Sequence, residues 1–131
     1  MIQKLLSEIS TIYIAYGATD FRKQIPSLCA DIKSKFNLNP YKNAAFIFCN
    51  KKRNSIKVLC YDKNGFVLAQ KTLLDVKKMK FQWPRNSNEL KNISKKQLDW
   101  LLSGLKIEQE KSFKEYDINS KNIAVWVKKF S

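Results

Sequence analysis

The chain contains no histidine, and only three glycines, three prolines and three cysteines, among 131 residues. Without histidine, general-base chemistry near neutral pH and histidine-ligated metal sites lose their usual residue. The glycines (Gly17, Gly65, Gly104) lie far apart, which excludes a Gly-rich phosphate loop, and no Gly-x-Ser-x-Gly nucleophile elbow occurs. Cys29, Cys49 and Cys60 are odd in number, form no Cys-x-x-Cys pair and sit inside apolar patterns. They read as buried free thiols of a reducing cytoplasm, not as a disulfide framework or a zinc site. No apolar run approaches the roughly 20 residues that span a bilayer. Met1 to Ser10 also lacks the cationic start and unbroken apolar block of a signal peptide. The expectation is a cytoplasmic protein with no membrane partner and no cofactor.

What is present is a basic, folded domain. A hydrophobic fraction of 44%, with eight Phe, five Tyr and three Trp, argues for a globule with its own core, read as a single domain over 1–131. Lysine dominates arginine 22 to 3, but that choice leaves charge unchanged, so the net charge of +14 still needs a cause. Its distribution is uneven: residues 1–50 carry +3, residues 51–96 carry +10 and residues 97–131 carry +1. A segmental basic excess on a folded domain points to nucleic acid ahead of an anionic membrane or an acidic protein.

Residues 44–68, AAFIFCNKKRNSIKVLCYDKNGFVL, hold three apolar runs separated by two polar turns. The first turn, Asn50-Lys51-Lys52-Arg53-Asn54, is packed with positive charge. The second, Asp62-Lys63-Asn64-Gly65, carries an Asn-Gly pair, which favours a tight hairpin with both central residues at positive φ. The stretch predicts a three-stranded antiparallel meander with a basic tip. Ile56, Val58 and Cys60 share one face, while Lys57, Leu59 and Tyr61 share the other. Neither face is cleanly polar, so the sheet should be covered substantially on both sides or wrapped strongly.

Around the meander, Thr11 to Tyr16 alternates as a strand and Gly17-Ala18-Thr19-Asp20 breaks it. Pro26 sets the start of the main helix near Ser27, with Leu28, Cys29, Ile32 and Phe36 on one face. Met79 to Trp83 predicts a further strand ended by Pro84. Ser94 and Gln97 form a capping box before the stripe of Leu98, Leu101, Leu102 and Leu105, with Gly104 as the breaker. Ile2 to Ile9 reads as a short helix or a leader, and Ile123 to Val127 as a last strand or docking segment. The fold class is α+β, an antiparallel β-meander sheet of about 4–6 strands packed with two principal helices.

Lys51, Lys52, Arg53 and Lys57 cluster on and beside the first hairpin, where a tip can enter a major groove or straddle a phosphate backbone. Lysines supply salt-sensitive phosphate contacts, and Arg53 adds bidentate recognition. Arg22 and Lys23 sit at a strand-to-helix junction. There a phosphate contact and a bridge from Arg22 to Asp20 both remain open. Phe81 and Trp83, beside Lys80 and Arg85, resemble a stacking platform for an unpaired base, although both fall on the apolar side of their strand and core packing is favoured. Trp100, at the edge of the leucine stripe, is a candidate contact for a partner protein. Asp20, Asp62, Asp75 and Asp99 read as turn, cap and solvated-face residues rather than a magnesium site for DNA cleavage. No catalytic residue and no metal ligand is assigned.

Four of these segments together resemble one family. GATDFRK at 17–23 resembles the Gly-x-Thr-Asp-x-Arg-Lys signature of the small accessory protein (TnpB type, second open reading frame) of insertion-sequence 66 mobile elements. Residues 44–73 resemble its strand, basic turn, strand and Asp-x-Asn-Gly-Phe turn. KFQWP at 80–84 resembles its Phe-x-Trp-Pro element, and SKKQLDWLLSGL at 94–105 its closing helix. The likeness covers about residues 10–106 and leaves 107–131 as a C-terminal extension. Asn54 stands where a further base is common, and Pro26 where many members are acidic. The RNA-guided nuclease that shares the TnpB name is unrelated. The resemblance implies a part in transposition beside a separate transposase that holds the catalytic carboxylates. Its partners are then DNA, at element ends or flanking sequence, and that transposase, in a bacterial, nucleoid-associated setting; a homo-oligomer is left open. The rival expectation is an adaptor that binds the transposase through the leucine helix or the 123–127 segment, with only weak, non-specific DNA affinity.

Overall fold

Alternating apolar residues build one mixed sheet with a core on each side. The computed structural model describes residues 1–75, 77–85 and 89–109. Its strands are β1 (Thr11–Ala15), β2 (Ala44–Cys49), β3 (Ser55–Asp62), β4 (Gly65–Thr72) and β5 (Leu90–Ile93), in the order β4-β3-β2-β1-β5. The meander β2-β3-β4 is antiparallel as expected, and β5 runs antiparallel to β1. β1 and β2, however, are parallel neighbours, which requires the crossover through the helical stretch between them.

Both faces are covered, as the mixed character of β2 and β3 predicted. Ile47, Cys49, Ile56, Val58 and Cys60 pack against Ile2 and Leu6 of the N-terminal segment, Phe81, Trp83, and Leu98 and Leu101. On the other face Phe46, Phe48 and Leu59 meet Leu28 and Ile32. Tyr13 stacks on Phe46 there, with ring centroids 5.4 Å apart. Burying side chains of this size stabilises by roughly 1.5–3 kcal/mol each, so the two layers explain why β2 can be apolar at every position.

The helices are short and locally determined. α1 (Ile2–Leu5) realises the helical reading of the N-terminus by burying Ile2. α2 (Ile25–Ala30) starts two residues before the expected Ser27, with Pro26 in its first turn, where its missing N–H costs nothing. It widens into a π-helical stretch at Asp31–Lys35, closed by the Phe36 N–H donating to the Asp31 carbonyl at 3.1 Å. α3 (Lys95–Leu102) opens on the expected capping box. The Gln97 N–H donates to Ser94 Oγ at 3.0 Å, and the Ser94 N–H to Gln97 Oε1 at 2.9 Å. Gly104, at φ 84°, ends it. Leu98 and Leu101 are buried, whereas Leu105 is exposed.

Two expectations need correction. Residues 79–84 form no strand. They run beneath the sheet, anchored by the Phe81 N–H on the Arg53 carbonyl (2.7 Å) and the Gly17 N–H on the Pro84 carbonyl (2.8 Å). The strand that pairs with β1 on its free side is β5. The second hairpin also turns one residue earlier than its Asn-Gly pair suggests. Asp62 pairs with Gly65, so Lys63 and Asn64 are central, and the positive φ (54°) falls on Lys63. The segment 123–127 lies outside the described residues. Among the described residues no helix is long and apolar enough to cross a membrane.

Candidate nucleic-acid interface

The basic turn between β2 and β3 is a built loop. The Arg53 N–H donates to the Asn50 carbonyl at 3.1 Å, and Asn50 Oδ1 accepts from the N–H groups of Asn54 (3.0 Å) and Ser55 (3.1 Å). Asn54 Oδ1 in turn accepts from Asn50 Nδ2 at 2.6 Å. Asn54 is thus half of the clamp that closes the loop. Arg53 sits at φ 59°, a left-handed conformation that costs a non-glycine residue on the order of 1 kcal/mol. Lys51 and Lys52 are exposed at the tip and Arg53 is half-exposed.

The segment after β1 is brought to the same end of the sheet. Gly17 turns the chain at φ 82°, and the Thr19 N–H donates to the Cys49 carbonyl at 2.8 Å, the last residue of β2. Asp20 then holds Arg22. Its carboxylate accepts the Arg22 backbone N–H at 2.9 Å, Nε at 3.0 and 3.1 Å, and Nη2 at 2.7 Å. The Arg22 side chain is 91% exposed, and its Nη1 edge has no partner among the described residues. Arg22, Asp20 and Thr19 line a cleft of about 630 Å³ whose other wall is Asn50, Lys51, Lys52 and Asn54. Lys23 turns away to pair with Asp31 at 2.5 Å, half-buried.

The other sequence candidates divide. Lys80 is exposed beside the loop, since its neighbour Phe81 bonds to Arg53. Arg85 is exposed and acts, with Arg53, on the Cys49 thiol, which burial nevertheless pushes up to about 12. Phe81 and Trp83 are 1% and 4% exposed, and Trp83 Nε1 donates to the Ala15 carbonyl at 2.7 Å. They are core residues and offer no stacking face. Lys57 is a correction as well: it is 3% exposed, and its ammonium donates to the carbonyls of Phe21 and Lys23, both at 2.8 Å. It braces the Arg22 segment from inside and reaches no phosphate. Sequence reasoning passed over Lys77 and Lys78, which line a second cleft with Lys80, Met79 and Leu102. Their signal was the Lys77-Lys78-x-Lys80 spacing within the most basic third of the chain. Trp100 is half-buried with Lys96 Nζ 5.5 Å from its ring centroid.

Residues 10–112 match the family described as IS66 Orf2-like protein. The chain belongs to that family. A curated relative, an uncharacterized protein of Sinorhizobium fredii, is 34% identical over 94 residues, covering 72% of this chain and 79% of its own length. No solved structure matches. The family makes this IS66 Orf2-like protein a transposition-associated accessory protein. Within it, the GATDFRK segment and the basic hairpin are the two walls of one cleft. Among the described residues no three acidic or thiol groups converge where a metal ion could be held.

The Asp20–Arg22 pair makes a pH prediction. The hydrogen bonds from Arg22 are the largest cause holding the Asp20 carboxyl at about 2, and the carboxylate raises Arg22 in return. A carboxyl depressed by folding contributes fully above its ordinary range near pH 4 and loses that contribution as pH falls through the folded value. The pair should therefore persist at pH 4 and open near pH 2. Carboxyl-carbon NMR should show Asp20 titrating near that value, and Arg22→Ala should return it to the ordinary range. An ordinary midpoint with Arg22 intact would contradict the pairing.

Proposed function

We propose that this IS66 Orf2-like protein is a non-catalytic DNA-binding subunit of a transposition complex, acting beside a separate transposase. The supporting observation is the cleft itself. Two loops far apart in sequence, one locked by Asp20 and one by Asn50, set Arg22 opposite Lys51 and Lys52 at one end of the sheet. Prebuilt loops lose little freedom on binding, which favours affinity for a ligand as uniform as a phosphate backbone. The lysines neutralise phosphates and release counterions, while the open edge of Arg22 offers a directed contact. Lys77, Lys78 and Lys80 extend the positive surface along the neighbouring cleft. A two-stranded ribbon tip is also narrow enough for a major groove about 12 Å wide. The scatter of the carboxylates favours binding without cleavage.

The test is fluorescence anisotropy with a duplex of the element's terminal repeat, a scrambled duplex and a single strand, across a salt series. Affinity should fall with a log–log slope of about −0.9 for each phosphate neutralised on duplex DNA. The terminal repeat should stay ahead of the scrambled duplex near physiological salt. Equal, weak binding to all three DNAs would replace this reading with the transposase adaptor.

A further inference from the structure

The two edges of the sheet are unlike. β5 has four residues and carries Lys91, paired with Glu89 at 2.6 Å, an arrangement that discourages strand addition. β4 runs eight residues in unbroken register with β3, from Asp62↔Gly65 to Ser55↔Thr72, without proline or bulge, and Lys71 is its single charge. The Leu73 N–H donates to the Asn54 carbonyl at 2.7 Å, which sets the phase of the ladder. Alternation from that bonded pair turns Lys71, Ala69, Val67 and Gly65 inward to β3. It turns the backbone N–H and C=O groups of Thr72, Gln70, Leu68 and Phe66 outward. None of these outward groups has a partner among the described residues.

We propose that β4 pairs with β4 of a second copy of this chain, antiparallel about a two-fold axis at Ala69, to form one ten-stranded sheet. Outward groups must meet outward groups, and this register engages all four from each copy. Phe66 faces Thr72 of the second copy, and Leu68 faces its Gln70. Ala69 meets Ala69 at the axis, where a methyl group causes no crowding. Lys71 lies along Val67 of the second copy, so the two Lys71 charges stay apart. No acidic residue on β4 opposes this arrangement or invites a basic partner strand.

The pairing has a structural consequence. The basic tip of one copy comes beside the Asp62–Gly65 turn of the other, three strand spacings or about 14 Å away. That turn brings Lys63 and the ring cluster of Tyr41, Tyr61 and Phe66, whose centroids lie 5.1–5.3 Å apart. Each copy thereby widens the other's cationic end, and the two tips face opposite ends of the sheet.

Sedimentation velocity of the full chain without DNA tests the pairing independently of the DNA reading. With a net charge of +14 on each copy, dimerisation should strengthen as salt rises, the opposite sign to phosphate binding. Gln70→Pro deletes an outward donor that β3 does not use, so it should keep the fold and raise the dimer dissociation constant roughly tenfold or more. Ala69→Cys places two thiols at a facing, non-hydrogen-bonded pair with Cα atoms about 4.5 Å apart, within disulfide range. Cys29 is half-buried, not buried as the sequence suggested, so both variants are made with Cys29→Ser. Mild oxidation should then link the Ala69→Cys chain into covalent dimers, while Val67→Cys and the Cys29→Ser chain alone, with Cys49 and Cys60 buried, should not respond. A monomer at every concentration and salt, a dimer untouched by Gln70→Pro, or equal cross-linking at 67 and 69 would each overturn the proposal.

Discussion

Replacing Lys51, Lys52 and Arg53 with glutamate is expected to weaken duplex binding by more than about a hundredfold near physiological salt, with the fold intact. Three phosphate contacts are lost and three repulsions appear, so the log–log salt slope should also flatten by about 3. The loop should survive because its closure uses Asn50, Asn54 and backbone groups only. Arg53 contributes its N–H and carbonyl, which any residue would supply, and glutamate tolerates φ 59° no worse than arginine does. Exposed substitutions of this kind change stability by about 0.5 kcal/mol or less each. The proper control reverses Lys4, Lys33 and Lys42, which are exposed away from the cleft and alter net charge equally. A matching loss of affinity in that control would reduce the effect to bulk charge, and undiminished binding by the tip variant would remove the hairpin from the interface.

Much of the fold was legible because its determinants are local. The capping box at Ser94 and Gln97, the proline in the first turn of α2 and the alternation in β2 and β3 each act within a few residues. The observed geometry follows them. The misplaced strand at residues 79–83 shows the limit. Met79, Phe81 and Trp83 alternate as strand residues do, but alternation records only that one side is apolar. Phe81 and Trp83 bury that side under the sheet while the backbone bonds to Arg53 and Gly17 instead of to a ladder. Likewise nothing within Thr11–Ala15 announces a parallel neighbour, since the pairing of β1 with β2 depends on the length and packing of the intervening helix.

The candidate site was legible in part for the same reason. A run such as Lys51-Lys52-Arg53 on a polar turn declares its exposure. Lys57 did not declare its burial. It lies opposite Phe48 and Gln70 on the sheet, where alternation alone allows either a solvated or a covered position. Only the return of residues 21–23 across that face decides it. Nor does sequence spacing reveal that Arg22 and Lys51 share a cleft; the bond from Thr19 to Cys49, which joins the two segments, is a tertiary fact.

Lys57 therefore supports the second large prediction, in which stability and affinity respond differently. Lys57→Ala removes a buried stem and an ammonium that lies 5.0 Å from the Phe21 ring centroid and satisfies two carbonyls. Losing hydrogen bonds to a buried charge together with the side-chain volume should cost about 3 kcal/mol, or on the order of 10 °C in Tm for a domain of this size. Lys57→Met keeps the stem and also removes the expense of burying a charge, so it should lose less, about 1 kcal/mol. A lysine that touched phosphate would behave otherwise, flattening the salt slope by about 0.9 and leaving Tm unchanged. The buried brace predicts a lower Tm with the salt slope preserved. Affinity should fall only to the extent that the freed segment lets Arg22 wander. Thermal melts and salt-series anisotropy on the two variants separate these cases: a flattened slope at unchanged Tm would return Lys57 to the DNA surface.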